Sequence, residues 1–454
     1  MNRRFYLDPH GCAKNQVDGE TLMSVLEQAG WEACTEAEEA DLVIVNSCGF
    51  IESAKRESIE AVLSYKQLYP NKRVLLAGCL AQRYADTLAA ELQEADALFG
   101  NTDLSRITEA ADLAMTSSHI ALVPPLDPTG KTDFARCSDD RPLLSLPGSA
   151  YVKITEGCDN RCTYCAIPLI RGNLRSRSIE SIVHECSGLL ERGIKELCLI
   201  GQDLGSYGKD GAAGAFAPGK CRLPDLLSAI SRLSGDFWVR LLYIHPDNFP
   251  MEILDLCKRD PRILPYFDLP FQHASKGILR LMNRRGDSET YLNLLAAIRR
   301  KLPEATIRST FLVGFPGETD EDMEILLDFQ QKAQLDWLGV FTYSREEDTP
   351  AYSMKGRVPK KVAEGRKHQI ESAQIPITEG RMDRFVGKTL PVLVEEQVGN
   401  EDGLYLGRTI CQAPEVDGAT VLSADQDLKP GTIVNARVFS RAGFDLDAAL
   451  RSNS

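Results

Sequence analysis

Three cysteines fall within eight residues of this chain, Cys158, Cys162 and Cys165 in "EGCDNRCTYCAIP" (156–168). Thiolates at such spacing ligate metals. A zinc ribbon needs a second CxxC pair, and none follows downstream. A thioredoxin-like motif is a single CxxC opening a helix, without a third thiol. Haem attachment requires a His directly after the second Cys of a CxxC, and Ala166 follows Cys165. What is left is a 4Fe–4S cluster held by three thiolates, with one iron lacking a protein ligand.

Three further cysteines close successive apolar strands: Cys12 in "PHGC", Cys48 in "VNSC" and Cys79 in "LAGC". The carboxyl ends of adjacent parallel strands converge on one crevice, and a small residue beside each Cys lets backbone approach a bulky ligand. Three thiolates there suit a second cluster; the alternative is three cysteines buried for packing. Cys34, Cys137, Cys186, Cys198, Cys221, Cys257 and Cys411 show no such clustering and are assigned to packing or surface.

The elements that must position these residues read as α/β. From residue 4 to about 100, strands "RFYLDPHGC", "ADLVIVNSC" and "KRVLLAGC" alternate with helical patterns, which predicts an open parallel sheet covered by helices. Residues 124–148, rich in Pro, Gly and charge, read as a linker. From 149 the alternation resumes through "AYVKITEG", "ELCLIGQD", "WVRLLYIHP", "YFDLPFQ", "TIRSTFLVGFP" and "LGVFTYS", the pattern of a closed or partly open (β/α) barrel with its chemistry at the strands' carboxyl ends. One long amphipathic helix is expected over 358–384. Short strands after it predict a small antiparallel β-barrel. The expected domains are therefore 1–123, 149–383 (barrel with connecting helix) and 384–450.

The chain has 454 residues, 13 of them Cys, and 52 Lys/Arg against 65 Asp/Glu, a net charge of −13. Thirteen cysteines without a disulfide pattern suit a reducing compartment. No apolar run approaches the ~20 residues that span a bilayer, and no apolar stretch of signal-peptide length follows Arg3–Arg4. A cytoplasmic protein with no membrane partner is expected. The acidic balance favours a basic protein partner over nucleic acid.

CxxxCxxC with Tyr164 before its last Cys resembles the radical S-adenosylmethionine motif, and the two cysteine sets together resemble the methylthiotransferase family over essentially the whole chain. That resemblance implies an N-terminal cluster domain, a central radical barrel and a C-terminal, OB-like TRAM domain. It implies two 4Fe–4S clusters and S-adenosylmethionine as cofactors. The Cys158/Cys162/Cys165 cluster would generate a radical, and the Cys12/Cys48/Cys79 cluster would hold the sulfur to be transferred. One cofactor molecule methylates that sulfur and another supplies the radical that abstracts hydrogen from an unactivated carbon. Such a C–H bond offers nothing to a general base, so no acid–base residue is expected among the six His.

Cofactor contacts are expected from Tyr164, from Gln202 and Asp203 in "LIGQD", and from Val313 and Gly314 as backbone contacts in "RSTFLVGFPGET". Arg308 is a candidate for a carboxylate of cofactor or substrate, and His245 in "YIHPD" for the cavity. "GFPGE" lacks the Lys-Ser/Thr of a phosphate loop.

The family divides between enzymes acting on a tRNA adenosine and one acting on a ribosomal protein. Residues 384–450 carry six Lys/Arg against ten Asp/Glu, a surface that should repel RNA and attract a basic protein. "NSCGFIESA", "YFDLPFQHAS" and "APEVDG" are similar to the ribosomal-protein branch, whereas the tRNA branch tends to "QSGS" in place of "QHAS". "FDLDAALRSNS" departs from that branch in lacking an aromatic after "DL". The implied activity is methylthiolation of an aspartate β-carbon in small-subunit ribosomal protein twelve, free or within the ribosomal subunit, with an electron donor such as flavodoxin. The alternatives are a tRNA-adenosine methylthiotransferase and a non-catalytic iron–sulfur or zinc protein.

Overall fold

A computed structural model describes residues 3–126, 140–211, 219–399, 401 and 403–450. They form two compact units: Met1–Leu144 with Thr155–Arg177 and Ser344–Tyr352, and Ser145–Ile154 with Ser178–Tyr343 and Ser353–Ser454. Cys137 and most of the expected linker lie outside the described residues.

The first unit is built on six parallel strands: β1 (Arg3–Pro9), β2 (Trp31–Ala33), β3 (Leu42–Ser47), β4 (Arg73–Gly78), β5 (Ala97–Phe99) and β6 (Ile120–Leu122), ordered β2-β1-β3-β4-β5-β6. Three of them, β2, β5 and β6, are too short to stand out in the sequence. The run "LVIV" in β3 is apolar at every position because both faces of the sheet are covered. Leu42 and Ile44 pack with Leu22, Leu26 and Ile107 on one side. Val43 and Val45 pack with Val62 and Leu88 on the other. The segment 140–144 returns to the first helix, where Arg141 pairs with the buried Glu20 and the Leu144 N–H donates to the same carboxylate (2.9 Å).

In the second unit β7 (Ser149–Lys153) begins another parallel sheet. Two-residue strands β8 (Thr155–Glu156) and β9 (Arg175–Ser176) pair antiparallel within the first unit. The sheet continues through β10 (Glu196–Ile200), β11 (Trp238–Leu241), β12 (Ile263–Asp268), β13 (Thr306–Val313) and β14 (Trp337–Thr342), paired in sequential order. It is the partly open form of the expected barrel, with β7 and β14 as its edges. Helix Lys360–Asp383 agrees with the periodicity over 358–384 and contains Pro376. Among the described residues no helix is long and apolar enough to cross a membrane.

The last five strands, β15 (Thr389–Gln397), β16 (Leu404–Thr409), β17 (Thr420–Ala424), β18 (Ile433–Ala442) and β19 (Asp445–Leu450), close into a barrel. One pair, β17 with β19, is parallel, so this barrel is not purely antiparallel. Cys186, Cys198, Cys257 and Cys411 are buried, while Cys34 and Cys221 are half-buried.

Alternation along the central strands divides their side chains between two faces. Leu197, Leu199, Val239 and Ile307 lie on one. Glu196, Arg240, Tyr266 and Arg308 lie on the other, where the C-terminal barrel meets them. Glu196 accepts from Arg240 Nε (2.7 Å) and Arg408 Nη2 (2.6 Å), and Arg408 also pairs with Glu395 (2.5 Å). The Tyr266 hydroxyl donates to Asp417 (2.6 Å), and the Trp337 indole N–H to the Cys411 carbonyl (2.7 Å). Burial alone would raise the Glu196 carboxyl, yet the guanidiniums of Arg408 and Arg240 hold it at about 2.

Removing one partner of a buried ion pair leaves an uncompensated charge. Arg408→Met, which strands Glu395 and leaves Glu196 with Arg240 alone, is expected to cost about 3–5 kcal/mol in denaturant unfolding. The Glu196 carboxyl lies below its ordinary value of 4.5, so its stabilisation is complete above that pH and is lost as pH falls toward 2. Over that window Glu196→Gln should lose less stability than wild type does.

Candidate functional site

Chain order reverses between β1 and β3, because β2 lies on the far side of β1. Such a switch point opens a crevice outside the carboxyl ends of the strands. Cys12 and Cys48 follow those two strands and Cys79 follows the neighbouring β4. Cys12 is exposed just before helix Ala13–Gln28, Cys48 is half-buried in the loop after β3, and Cys79 is the buried first residue of helix Cys79–Arg83. The three loops press together. A Cβ on Gly49 would meet the Cys79 carbonyl oxygen at 2.6 Å, and one on Gly11 would meet Cys48 Cβ at 3.1 Å. Burial, then the neighbouring Cys79 thiol, pushes the Cys48 thiol up to about 12. Burial also raises Cys79, against the pull of Arg171.

The second cysteine set sits in the same compact unit, on the loop between β8 and helix Ile167–Arg171. Gly157 starts the loop at φ +70°, where a Cβ would lie 2.0 Å from the Asn173 carbonyl oxygen, so "EGC" admits only glycine there. The Cys158 N–H donates to the Gly172 carbonyl (3.2 Å) and the Cys165 N–H to the Cys162 carbonyl (3.1 Å). Cys158, Cys162 and Cys165 are all half-buried, as is Tyr164 in the turn between the last two. The Ala351 N–H donates to the Thr163 carbonyl (2.9 Å), and the segment carrying Ala351 is fixed by ion pairs from Arg83 (2.8 Å) and Lys55 (3.1 Å) to the buried Glu346.

Arg171 joins the two sets. Its Nη1 donates to Glu156 (2.8 Å), and its Nη2 reaches Asp18 (2.9 Å) and Cys79 Sγ (3.1 Å). The amide of Asn101 also donates to Cys79 Sγ (3.4 Å), and that of Asn160 to Cys158 Sγ (3.4 Å). Ala166, Ile170 and Phe50 pack against Cys79 and keep water from it. Among the described residues no three Cys, His, Asp or Glu side chains stand close enough to share a single metal ion. A four-iron cluster sets a different requirement, because each thiolate takes its own iron at a separate corner. Two sets of three thiols, with N–H donors aimed at Cys79 and Cys158, fit that group, since hydrogen bonds to sulfur are part of how proteins hold it.

The expected cofactor contacts of the central sheet divide into two groups. Gln202 is half-buried in the loop after β10. Asp203 is buried and accepts from the N–H groups of Gly205 (3.0 Å) and His245 (2.9 Å), from Ser206 Oγ (2.6 Å) and from Asn248 Nδ2 (2.7 Å), so it ties two loops together. His245 Nδ1 accepts from the Asp247 N–H (3.2 Å), and burial, aided by Arg284, lowers the ring to about 4, leaving it neutral. Arg308 faces Asp268 (3.5 Å) and Asp417 (3.4 Å), which meet its charge within the chain. The Val313 carbonyl accepts from the Tyr343 N–H (2.8 Å), and the Gly314 N–H donates to Glu318 (2.9 Å). Both backbone groups therefore have partners already.

Two residues escaped the sequence reading. Glu318, the last letter of "GFPGE", also accepts from the Phe315 N–H (3.3 Å) and pairs with Arg366 (2.7 Å), fixing the loop after β13. Arg171 carried a signal in "CAIPLIRG": a charged residue closing an apolar run beside the cysteines, where helical spacing buries it.

A thiol held near 12 rather than 9.0 carries about a thousandfold less thiolate, and greater intrinsic nucleophilicity restores about half of that on a logarithmic scale. In the metal-free protein at pH 8, Cys48 should therefore react with iodoacetamide about thirtyfold more slowly than an unperturbed thiol. Peptide-resolved mass spectrometry, with added N-acetylcysteine as the reference thiol, checks this; equal rates contradict it.

Comparison with known proteins covers all three regions. Residues 4–100 match an uncharacterised protein family, UPF0004, residues 152–329 the radical SAM superfamily and residues 386–450 the TRAM domain. The chain is 49% identical to ribosomal protein uS12 methylthiotransferase RimO of Treponema denticola, over 97% of this chain and 99% of that protein. It is 40% identical to the protein of the same name from Carboxydothermus hydrogenoformans, over 98% of each. Among solved structures, the radical S-adenosylmethionine methyltransferase TsrM from Kitasatospora setae shares the fold with a TM-score of 0.56, at 17% identity over 77% of each chain. The three matched regions in this order, together with full-length identity of this size, place the chain in the radical SAM methylthiotransferase family, with the RimO proteins.

Proposed function

We propose that this chain attaches a methylthio group to an aspartate β-carbon of ribosomal protein uS12. It would use S-adenosylmethionine and two 4Fe–4S clusters, one on Cys158, Cys162 and Cys165 and one on Cys12, Cys48 and Cys79. The observation that carries the two-cluster part is the second trio, which stands at three neighbouring strand ends with N–H donors aimed at Cys79 Sγ. The substrate rests on the curated relatives, whose name specifies uS12.

When bound, these groups supply one-electron cleavage of a carbon–sulfur bond, hydrogen abstraction and a transferable methylthio group. The protein's part is holding and shielding. Each set of three thiolates leaves one coordination position for a non-protein ligand. Tyr164, Gln202, Val313 and Gly314 serve as cofactor contacts in this reading, Val313 and Gly314 through groups other than the two already bonded. Asp203, His245 and Arg308 act behind them as supports. His245 and His273, both lowered to about 4 with burial as the leading cause, are neutral. An external one-electron donor such as flavodoxin completes the scheme.

The charge of the C-terminal barrel favours uS12 over tRNA. Setting aside Glu395, Asp417 and Arg408, whose side chains are buried, five basic residues face eight acidic ones over 384–450. Reconstituted enzyme is to be incubated with S-adenosylmethionine and reductant, with uS12 and separately with tRNA, and both products analysed by mass spectrometry. The methylthio mark is expected on the protein; a mark on tRNA alone would establish the tRNA-adenosine reading instead. Cys162→Ala should abolish cofactor cleavage, and Cys48→Ala should spare cleavage while abolishing transfer. Transfer that survives Cys48→Ala would make the N-terminal trio packing residues.

A further inference from the structure

Arg171 is the last residue of helix Ile167–Arg171, with its side chain only 2% exposed. Burying a guanidinium is costly, and one carboxylate suffices to balance its charge. Here two are supplied from opposite sides. Asp18 comes from the helix that starts after Cys12, and Glu156 from β8, just before the Cys158 loop. The two carboxylates fix the plane of the guanidinium, and Nη2 also reaches Cys79 Sγ at 3.1 Å and, more distantly, Asn15 Oδ1 at 3.5 Å. Asn101 approaches the same sulfur from the loop after β5. The Glu156 pair also closes the base of the loop bearing Cys158, Cys162 and Cys165, since Glu156 and Arg171 flank it. One side chain therefore braces one cysteine set while placing a positive charge on a sulfur of the other.

We propose that Arg171 is a positioning residue for the N-terminal site, raising the electron affinity of the cluster that Cys12, Cys48 and Cys79 would ligate. This rests on the two-cluster reading above. A cationic donor withdraws electron density from a ligating sulfur and stabilises the reduced form, because hydrogen bonds to sulfur and local charge set such potentials. A clamp that merely held the loop would leave the potential unmoved.

The test uses the full chain carrying Cys158→Ala, Cys162→Ala and Cys165→Ala, reconstituted with iron and sulfide. Iron content and an EPR-monitored redox titration are compared for this parent and for Arg171→Gln, Arg171→Lys and Asn101→Ala added to it. With iron retained, Arg171→Gln should lower electron affinity at least tenfold, about 59 mV for one electron. Arg171→Lys, which keeps the charge, should recover part of that, and Asn101→Ala should shift the potential the same way by less. Retained iron with an unmoved potential in Arg171→Gln and Asn101→Ala overturns the inference. If Arg171→Gln fails to fold or to keep iron, unmoved potentials in both Arg171→Lys and Asn101→Ala overturn it equally. A parent variant that binds no iron overturns the two-cluster reading instead, whatever residue 171 is.

Discussion

A sulfur that is to ligate iron from the end of a parallel sheet needs N–H donors, and the strands cannot spare theirs because the ladder consumes them. The donors must come from side chains, and a charged donor must itself be balanced where water is excluded. Much of the first unit answers this requirement. Cys79 takes Arg171 and Asn101, Arg171 takes Asp18 and Glu156, and those two carboxylates sit beside the two cysteine sets in the chain. The loop geometry follows from the same crowding. Glycine stands at 49, where backbone lies against Cys79, and at 157, where the second loop turns back on Asn173.

The second unit obeys the same rule on a different surface. One face of its sheet is apolar and packed by helices, and the other carries Glu196, Arg240, Tyr266 and Arg308. That face is tolerable because Glu395, Arg408 and Asp417 of the C-terminal barrel complete its ion pairs and hydrogen bonds. The barrel is therefore a structural part of the central sheet as well as an acidic surface. Counting its charges from composition overstates what a partner would meet, because Glu395, Asp417 and Arg408 are turned inward.

Features with a local signature were legible in the sequence. The period-two and all-apolar strands, the long helix over 360–383 and the spacing of the six cysteines each occupy a few adjacent residues. Partnerships across the chain were not. Arg171 and Cys79 lie 92 positions apart and Arg408 and Glu196 lie 212 apart, distances over which no periodicity speaks. Asp203 and Arg308 stand out in the sequence as polar residues near strand ends, but their partners within the chain, Asn248 for one and Asp268 and Asp417 for the other, come from distant segments and were not legible. Likewise "GFPGE" reads as a turn, whereas Glu318 makes it a bonded loop anchored to Arg366.

The proposed chemistry requires that two incomplete sets of thiolates each hold a cluster. Iron quantitation with Mössbauer spectroscopy on the anaerobically reconstituted full chain tests it most directly. About eight irons per chain, all in 4Fe–4S form, are expected for the unsubstituted protein. About four are expected after alanine replaces Cys12, Cys48 and Cys79. About four irons in the unsubstituted chain, unchanged by those substitutions, would contradict it.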